Sequence, residues 1–179
     1  MEQEPEMFKK LVISAIVAMS AAPLAAQELA MVDSETDWSV YVADSPKECF
    51  IVSKPTDWSA QRDGQAVNVR RGDIRFYISI IPGEQIASEP SFLAGYPLKQ
   101  DAPVEVKIDD TTISLYPNAD IHAEYAWPRP EDDANLIIAM RGGSEATIVG
   151  TSARGTITTD VFSLIGFTAA YEKAQEMCQ

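Results

Sequence analysis

The end of the chain constrains the fold more than any other segment, because a strand-like run passes through one glycine into a helix that ends in a cysteine. After Gly166, apolar residues recur at helical spacing from Phe167 to Cys178, which predicts an amphipathic helix that packs by one face. The only other cysteine, Cys49, lies in a predicted strand far upstream. One intramolecular disulfide is therefore available, and it would join the C-terminal helix to the N-terminal strands. Two buried free thiols are the alternative.

The N-terminus has the order of a secretory signal: two lysines, an apolar run over residues 11–22, and small residues up to Ala26. This order predicts a signal peptide over residues 1–26 and a mature β domain over residues 27–179. We therefore expect a protein of the periplasm, the outer surface or the medium, where a disulfide persists. The apolar run is too short for a comfortable membrane span, so we expect no stable span in the mature protein.

The charge balance limits the classes of partner. A formal net charge of -13 at pH 7 argues against nucleic-acid binding, which needs a basic surface, and against adsorption to anionic lipid. A single domain of this length can bury a core without help from a metal. We therefore expect no nucleic acid, no cofactor and no metal.

Short alternating runs separated by turn residues predict a mainly β protein. The expected architecture is a single antiparallel β-sandwich or small barrel with one interior helix and a short C-terminal helix. The predicted strands are Trp38–Val42, Cys49–Ser53, Ala66–Arg70, Ile74–Ile81, Val104–Ile108, Thr111–Tyr116, Glu145–Thr151 and Thr156–Ser163. Arg71–Asp73 is interpreted as a hairpin turn between the third and fourth strands. Residues 84–101, which contain two prolines, are interpreted as an extended or looping crossover.

The interior helix is predicted after Pro130. Acidic residues at positions 131–133 fill its first turn, where negative charge favours the helix dipole. Leu136, Ile137 and Met140 form one apolar face. The pair Gly142-Gly143 predicts a left-handed helix stop.

The chain contains few residues suited to catalysis or to metal binding. His122 is the only histidine, and we expect it at the surface. Gly150–Gly155 places Ser152 one residue too far from the second glycine for a nucleophile elbow, so it reads as a hairpin connection. Two distant cysteines and one histidine cannot form a zinc site. We therefore predict a non-enzymatic protein with no catalytic, cofactor-binding or metal-binding residue. A hydrolase would need two converging carboxylates.

Trp127 and Arg129 lie among prolines just before the interior helix. They predict an exposed aromatic patch for contact with a partner. The other interpretation is that Trp127 packs within the domain.

Several landmarks of the chain resemble the invasion-associated locus B family. They are Asp37-Trp38-x-Val40, Cys49 in the next strand, Gly150–Thr156 and, most specifically, the string from Phe162 to Ala170. Members of this family look like exported single-domain β proteins of Gram-negative bacteria, and they are named for host-cell invasion by pathogenic members. The resemblance implies a cell-envelope protein without catalytic residues. This chain lacks the additional cysteines that often occur in the first strand and before the interior helix.

Two functions remain open from the sequence. The first is an exported, non-enzymatic protein that acts by interaction with an unknown envelope or host protein. The second is a periplasmic carrier of a small ligand held in an apolar barrel cavity. A deep pocket lined by aromatic and aliphatic side chains would favour the carrier, whereas a packed interior would favour the interaction protein. The sequence leaves the oligomeric state open.

Overall fold

The computed structural model describes residues 29–179, so the predicted signal peptide over residues 1–26 lies outside the described range. The strands are β1 (Ala30–Glu35), β2 (Trp38–Asp44), β3 (Lys47–Ser53), β4 (Asp57–Arg62), β5 (Gln65–Ala66), β6 (Arg75–Ile81), β7 (Ile86–Leu93), β8 (Val104–Ile108), β9 (Thr111–Asn118), β10 (His122–Trp127), β11 (Glu145–Thr151) and β12 (Ile157–Ser163). The helices are α1 (Pro130–Gly142) and α2 (Phe167–Met177). A mainly β fold with one interior and one C-terminal helix is therefore confirmed.

The strands form one sheet in the spatial order β1-β2-β3-β6-β7-β10-β9-β8-β11-β12-β4-β5. All the described pairings between neighbouring strands are antiparallel. Strands β1 and β5 each have one neighbour, so the sheet is not closed into a barrel. Of the two architectures predicted, the sandwich-like one is correct.

Strand β9 carries the sheet from one layer to the other, because its first part pairs with β8 and its last residues pair with β10. The two halves of the sheet face each other across a core of aromatic rings. The ring of Phe162 on β12 lies 5.8 Å from Phe76 on β6 and 6.3 Å from Phe92 on β7. All three rings are fully buried. Aromatic burial of this kind stabilises the pairing of the two layers.

Trp38 joins three elements of the core. Its indole Nε1 donates a hydrogen bond to the Ser163 carbonyl at the end of β12, at 3.1 Å. Its ring meets Phe167 of α2 edge-on, with centroids 5.1 Å apart. The buried indole nitrogen therefore has a hydrogen-bond partner, and strand β2 contacts helix α2 directly through the Trp38 and Phe167 rings.

The connection into α2 depends on Gly166. Its backbone is left-handed, with φ 90° and ψ -11°, and a Cβ there would collide with the carbonyl oxygen of Glu35. The helix ends at Cys178, which forms a disulfide with Cys49 on β3, 129 residues away in sequence. This is the one pairing that the cysteine count allows. Both cysteines are buried.

Arg71–Asp73 is not a hairpin turn, and the predicted strand over residues 66–70 is wrong. Strand β6 already pairs with β3 on one edge and β7 on the other, so no edge is left for another strand. Only Gln65–Ala66 is a strand, and it pairs with β4. The backbone of the following segment is held by Gly72 N, which donates to the Gly95 carbonyl at 2.8 Å.

Residues 84–101 do not form a crossover along their whole length, because Ile86–Leu93 is strand β7. A proline inside a strand removes one ladder donor, which is tolerated where that edge has no partner. Pro90 faces Ile78 of β6, whereas β10 pairs with β7 only at Phe92 and Leu93. At Pro90, therefore, β7 has no pairing with β10 that the missing N–H donor could disrupt.

Gly143 does not provide a left-handed stop after α1. Its backbone is extended, with φ -87° and ψ 166°, a conformation open to any residue. A Cβ at this position would instead collide with Cγ2 of Ile108 and lie 3.2 Å from Cδ1 of Leu164. The glycine is required by close packing rather than by backbone angles.

Candidate binding surface

A line of aromatic side chains crosses the outer face of the sheet. We call it the aromatic row, and it consists of Tyr41 on β2, Phe50 on β3, Tyr77 on β6, and Tyr125 and Trp127 on β10. All five are partly buried, and each has a fully buried neighbour next to it in the chain. Successive residues of a strand point to opposite faces, so the buried neighbours fill the core while the row remains outside it.

The rings of the aromatic row form a continuous series of contacts. Tyr41 and Phe50 are register partners, and their rings stack with centroids 5.0 Å apart. Phe50 meets Tyr77 edge-on at 5.9 Å. Tyr77 stacks with Tyr125 at 6.3 Å, and Tyr125 stacks with Trp127 at 5.6 Å. Cross-strand pairs of this kind hold each other's rotamers, so the surface is formed before any partner arrives.

The Tyr77 hydroxyl group at the centre of the row stays neutral. Burial raises the pKa of Tyr77 to about 12, and the neighbouring Tyr125 adds to the rise by charge repulsion and a hydrogen bond. A neutral phenol can both donate and accept a hydrogen bond. The centre of the row therefore combines apolar ring surface with polar groups that can orient a partner.

One end of the row borders an open cleft of about 600 Å³, whose lining includes Trp127 and Arg129. The Arg129 guanidinium lies 4.8 Å from the centroid of the Tyr116 ring, a cation–π contact. Ile121 in the same cleft is 68% exposed. The structure thus brings Trp127 and Arg129 onto one surface, and the part that they play in binding stays a prediction.

The residues weighed for catalysis make local hydrogen bonds. His122 is exposed, its Nδ1 accepts a hydrogen bond from Glu124 N at 3.3 Å, and its ring lies edge-on to Tyr125. Ser152 is in the connection between β11 and β12, where its Oγ accepts a hydrogen bond from Thr156 N at 3.0 Å. Among residues 29–179, no group of three or more His, Cys, Asp or Glu side chains is placed to hold a metal ion.

Comparison with known proteins decides the family. A sequence profile described as "Invasion associated locus B (IalB) protein" matches residues 38–175, which is more than half of the chain. The chain belongs to the IalB family. The resemblance seen in the sequence landmarks is therefore confirmed.

The crystal structure of invasion associated protein B from Bartonella henselae is similar to this IalB family protein. The two chains are 16% identical, with a TM-score of 0.57 over 83% of this chain and 98% of that chain. At that identity, the likeness shows a shared fold. A search of curated proteins found no match. In the described part of the chain, no helix is both long and apolar enough to cross a membrane.

Proposed function

We propose that this IalB family protein is an exported, non-enzymatic protein of the cell envelope that binds a protein partner through the aromatic row. The observation that carries the proposal is the unbroken series of five partly exposed rings across the sheet, from Tyr41 to Trp127. These rings lie outside the packed core.

Aromatic side chains are common at the centre of protein–protein interfaces, because they bury a large area at a low cost in side-chain entropy. In the row, ring–ring contacts already restrain the side chains. Tyr41, Tyr77 and Tyr125 add hydroxyl groups that can pair with a partner's main chain. A preformed surface with both properties favours an interaction protein.

The alternative function, a small-ligand carrier, depends on a closed barrel around an apolar cavity. Over residues 29–179 the sheet has two edge strands, β1 and β5, that do not pair with each other, so it is not closed into a barrel. The aromatic and aliphatic side chains of the two layers instead pack into one buried cluster, with the rings of Phe76, Phe92 and Phe162 in contact at its centre. A packed interior favours the interaction protein.

Export rests on two features. The first is the signal-like order of residues 1–26. The second is the Cys49–Cys178 disulfide, which persists in an oxidising compartment. We expect a C-terminally tagged chain to be recovered from the periplasm, the outer surface or the medium, with Gln27 as its first residue. Recovery from the cytoplasm with an intact N-terminus would contradict export.

Partner binding can be tested by affinity capture from the bacterium's own envelope extract and from a host-cell extract, with the oxidised protein as bait. Tyr77→Ser/Tyr125→Ser removes the centre of the row, and Trp127→Ser alone removes one end. Ile138→Ser is the control, because Ile138 is an apolar side chain of α1 that is 68% exposed and is not part of the row.

We expect a defined protein to be retained by the native chain and by Ile138→Ser, but not by the double variant. The partner would then be purified and its affinity measured directly. Thermal unfolding of each variant checks that the fold is intact. Equal retention by the native chain and both row variants would show that the row is not the binding surface.

A further inference from the structure

A second surface feature is independent of the proposed function. A cleft of about 320 Å³ lies between residues 69–71, the loop over residues 95–97, and the connection between β11 and β12. Four of the chain's seven arginines line it, which is unexpected in a protein with a net charge of -13. We call it the arginine cleft, and its arginines are Arg62, Arg70, Arg71 and Arg154.

Arg71 forms the floor of the arginine cleft. Its guanidinium makes two hydrogen bonds to Asp160, at 2.5 and 2.9 Å, and two to the Ala94 carbonyl, at 2.8 and 3.1 Å. The rings of Trp58 and Tyr96 lie 5.2 and 5.0 Å from it. Both charged side chains are almost fully buried, with exposed fractions of 3% and 0%. Arg71 is therefore neutralised and fixed in place by its own protein.

The other three arginines have no such counter-charge. Arg62 donates to Thr156 Oγ1 from Nε, at 3.2 Å, and from Nη2, at 2.5 Å, and this holds its guanidinium at the cleft wall. Within residues 29–179, none of Arg62, Arg70 and Arg154 takes part in an ion pair. Each is exposed. Among the described residues, Glu124 is the one acidic side chain in the cleft lining, so an excess of positive charge remains there.

An unpaired cluster of this kind has a cost, because the like charges repel one another. The overall negative charge of the protein repels anions at a distance, so anion binding needs a local concentration of positive charge. Arginine suits this purpose, since its planar fork of N–H donors matches the two oxygens of a carboxylate or the oxygens of a phosphate.

We propose that the arginine cleft binds a small organic anion through a carboxylate or phosphate group, with Arg70 and Arg154 as the principal ligand-binding residues. Arg62 adds a third positive charge at the side of the cleft. The Arg71–Asp160 ion pair forms its base and holds the surrounding residues in place. Val69, Pro97 and Ala153 form apolar parts of the lining and would contact the uncharged part of the ligand. The volume lies at the lower end of the range for small-molecule sites.

The test uses the purified, disulfide-bonded protein in low-salt buffer, with binding followed by NMR titration. The probes are inorganic phosphate, N-acetylphenylalanine, and the neutral amide of N-acetylphenylalanine. We expect at least one of the two anions to shift resonances of cleft residues such as Tyr96, and the neutral amide to leave them unchanged. The tighter of the two anions identifies the preferred group. Binding should weaken as salt is added.

Two double variants that each remove two positive charges, one pair inside the cleft and one pair outside it, distinguish a specific binding site from a general effect of net charge. Arg70→Gln/Arg154→Gln should lower the affinity roughly tenfold or more. Lys54→Gln/Lys107→Gln removes the same charge from two exposed side chains outside the cleft and should leave the affinity unchanged. Thermal unfolding confirms that both variants fold. The proposal is overturned if neither anion binds, if the neutral amide binds equally well, or if the control variant loses as much affinity as the cleft variant.

Discussion

Breaking the Cys49–Cys178 disulfide is expected to lower the free energy of unfolding by several kcal/mol. The bond closes a loop with a sequence separation of 129 residues, and the chain-entropy relation for such a loop gives about 5 kcal/mol at 25 °C. This figure is an upper limit, because residual structure in the unfolded chain reduces the entropy that the bond removes. Measured losses for native disulfides fall at roughly 2–5 kcal/mol.

Cys178→Ser should therefore lower the Tm by roughly 5–20 °C for a domain of this size. Cys178 Sγ lies 3.5 Å from the Ile80 carbonyl oxygen, and the serine hydroxyl of the variant can donate a hydrogen bond to that oxygen, so the substitution leaves no buried polar group unpaired there. Urea and thermal unfolding followed by circular dichroism measure the loss. Hydrogen exchange should show α2 opening more readily than the sheet, because the bond fixes the end of that helix.

The double variant Cys49→Ser/Cys178→Ser and the native chain in reductant provide controls, and both should reproduce the loss. A loss below about 1 kcal/mol in all three samples would contradict this prediction, since the closed loop would then contribute little to stability. Two free thiols in the purified native protein would refute it as well.

Three further changes have defined outcomes. Arg71→Met leaves the buried Asp160 unpaired and should cost about 3–5 kcal/mol in urea unfolding, whereas Arg71→Met/Asp160→Leu should recover most of the loss. Gly143→Ala should cost about 1–3 kcal/mol, because its Cβ would collide with Ile108. Gly142→Ala is the matched control, since a Cβ there meets nothing within 4 Å, and it should be neutral or stabilising. For Asp133, burial first and then Glu89 and its two acidic neighbours raise the pKa from 3.8 to about 6. Its ionisation therefore destabilises the fold above about pH 6, and the cost disappears as the pH falls toward 4. Asp133→Asn should raise the Tm at about pH 8 and leave it unchanged near pH 4, and an equal gain at both values would contradict this.

The sequence predicts those elements whose signals are local. Alternation identifies strands such as Val104–Ile108 and its hairpin partner from Thr111, and both are found. Acidic residues after Pro130 and the apolar spacing after Gly166 identify the two helices. In each case the pattern lies within about a dozen neighbouring residues, so no knowledge of distant contacts is needed.

Sequence reasoning missed β4 and misplaced residues 66–73, because pairing there is decided at long range. Strand β4 (Asp57–Arg62) has little apolar alternation and exists because it pairs with β12. Arg71 lies in an apparent turn tripeptide, yet its side chain enters the core to meet Asp160, 89 residues away. Nothing within either segment indicates the distant partner.

The aromatic row shows the same difference between local and long-range signals. The sequence alone predicted a patch at Trp127 and Arg129, because an aromatic and a basic residue among prolines form a local signal. Tyr41, Phe50 and Tyr77 become neighbours of that patch only when strand order and register are known.

Local patterns in the sequence were enough to predict the mainly β class, the two helices, the single possible disulfide and the family landmarks. Three features became visible only in the folded chain: the open sheet, the set of rings in the aromatic row, and the set of arginines in one cleft. The two groups of features differ because alternation and helical spacing are properties of adjacent residues. A surface is formed by strands brought together from across the whole chain, whose register is fixed only when the core packs.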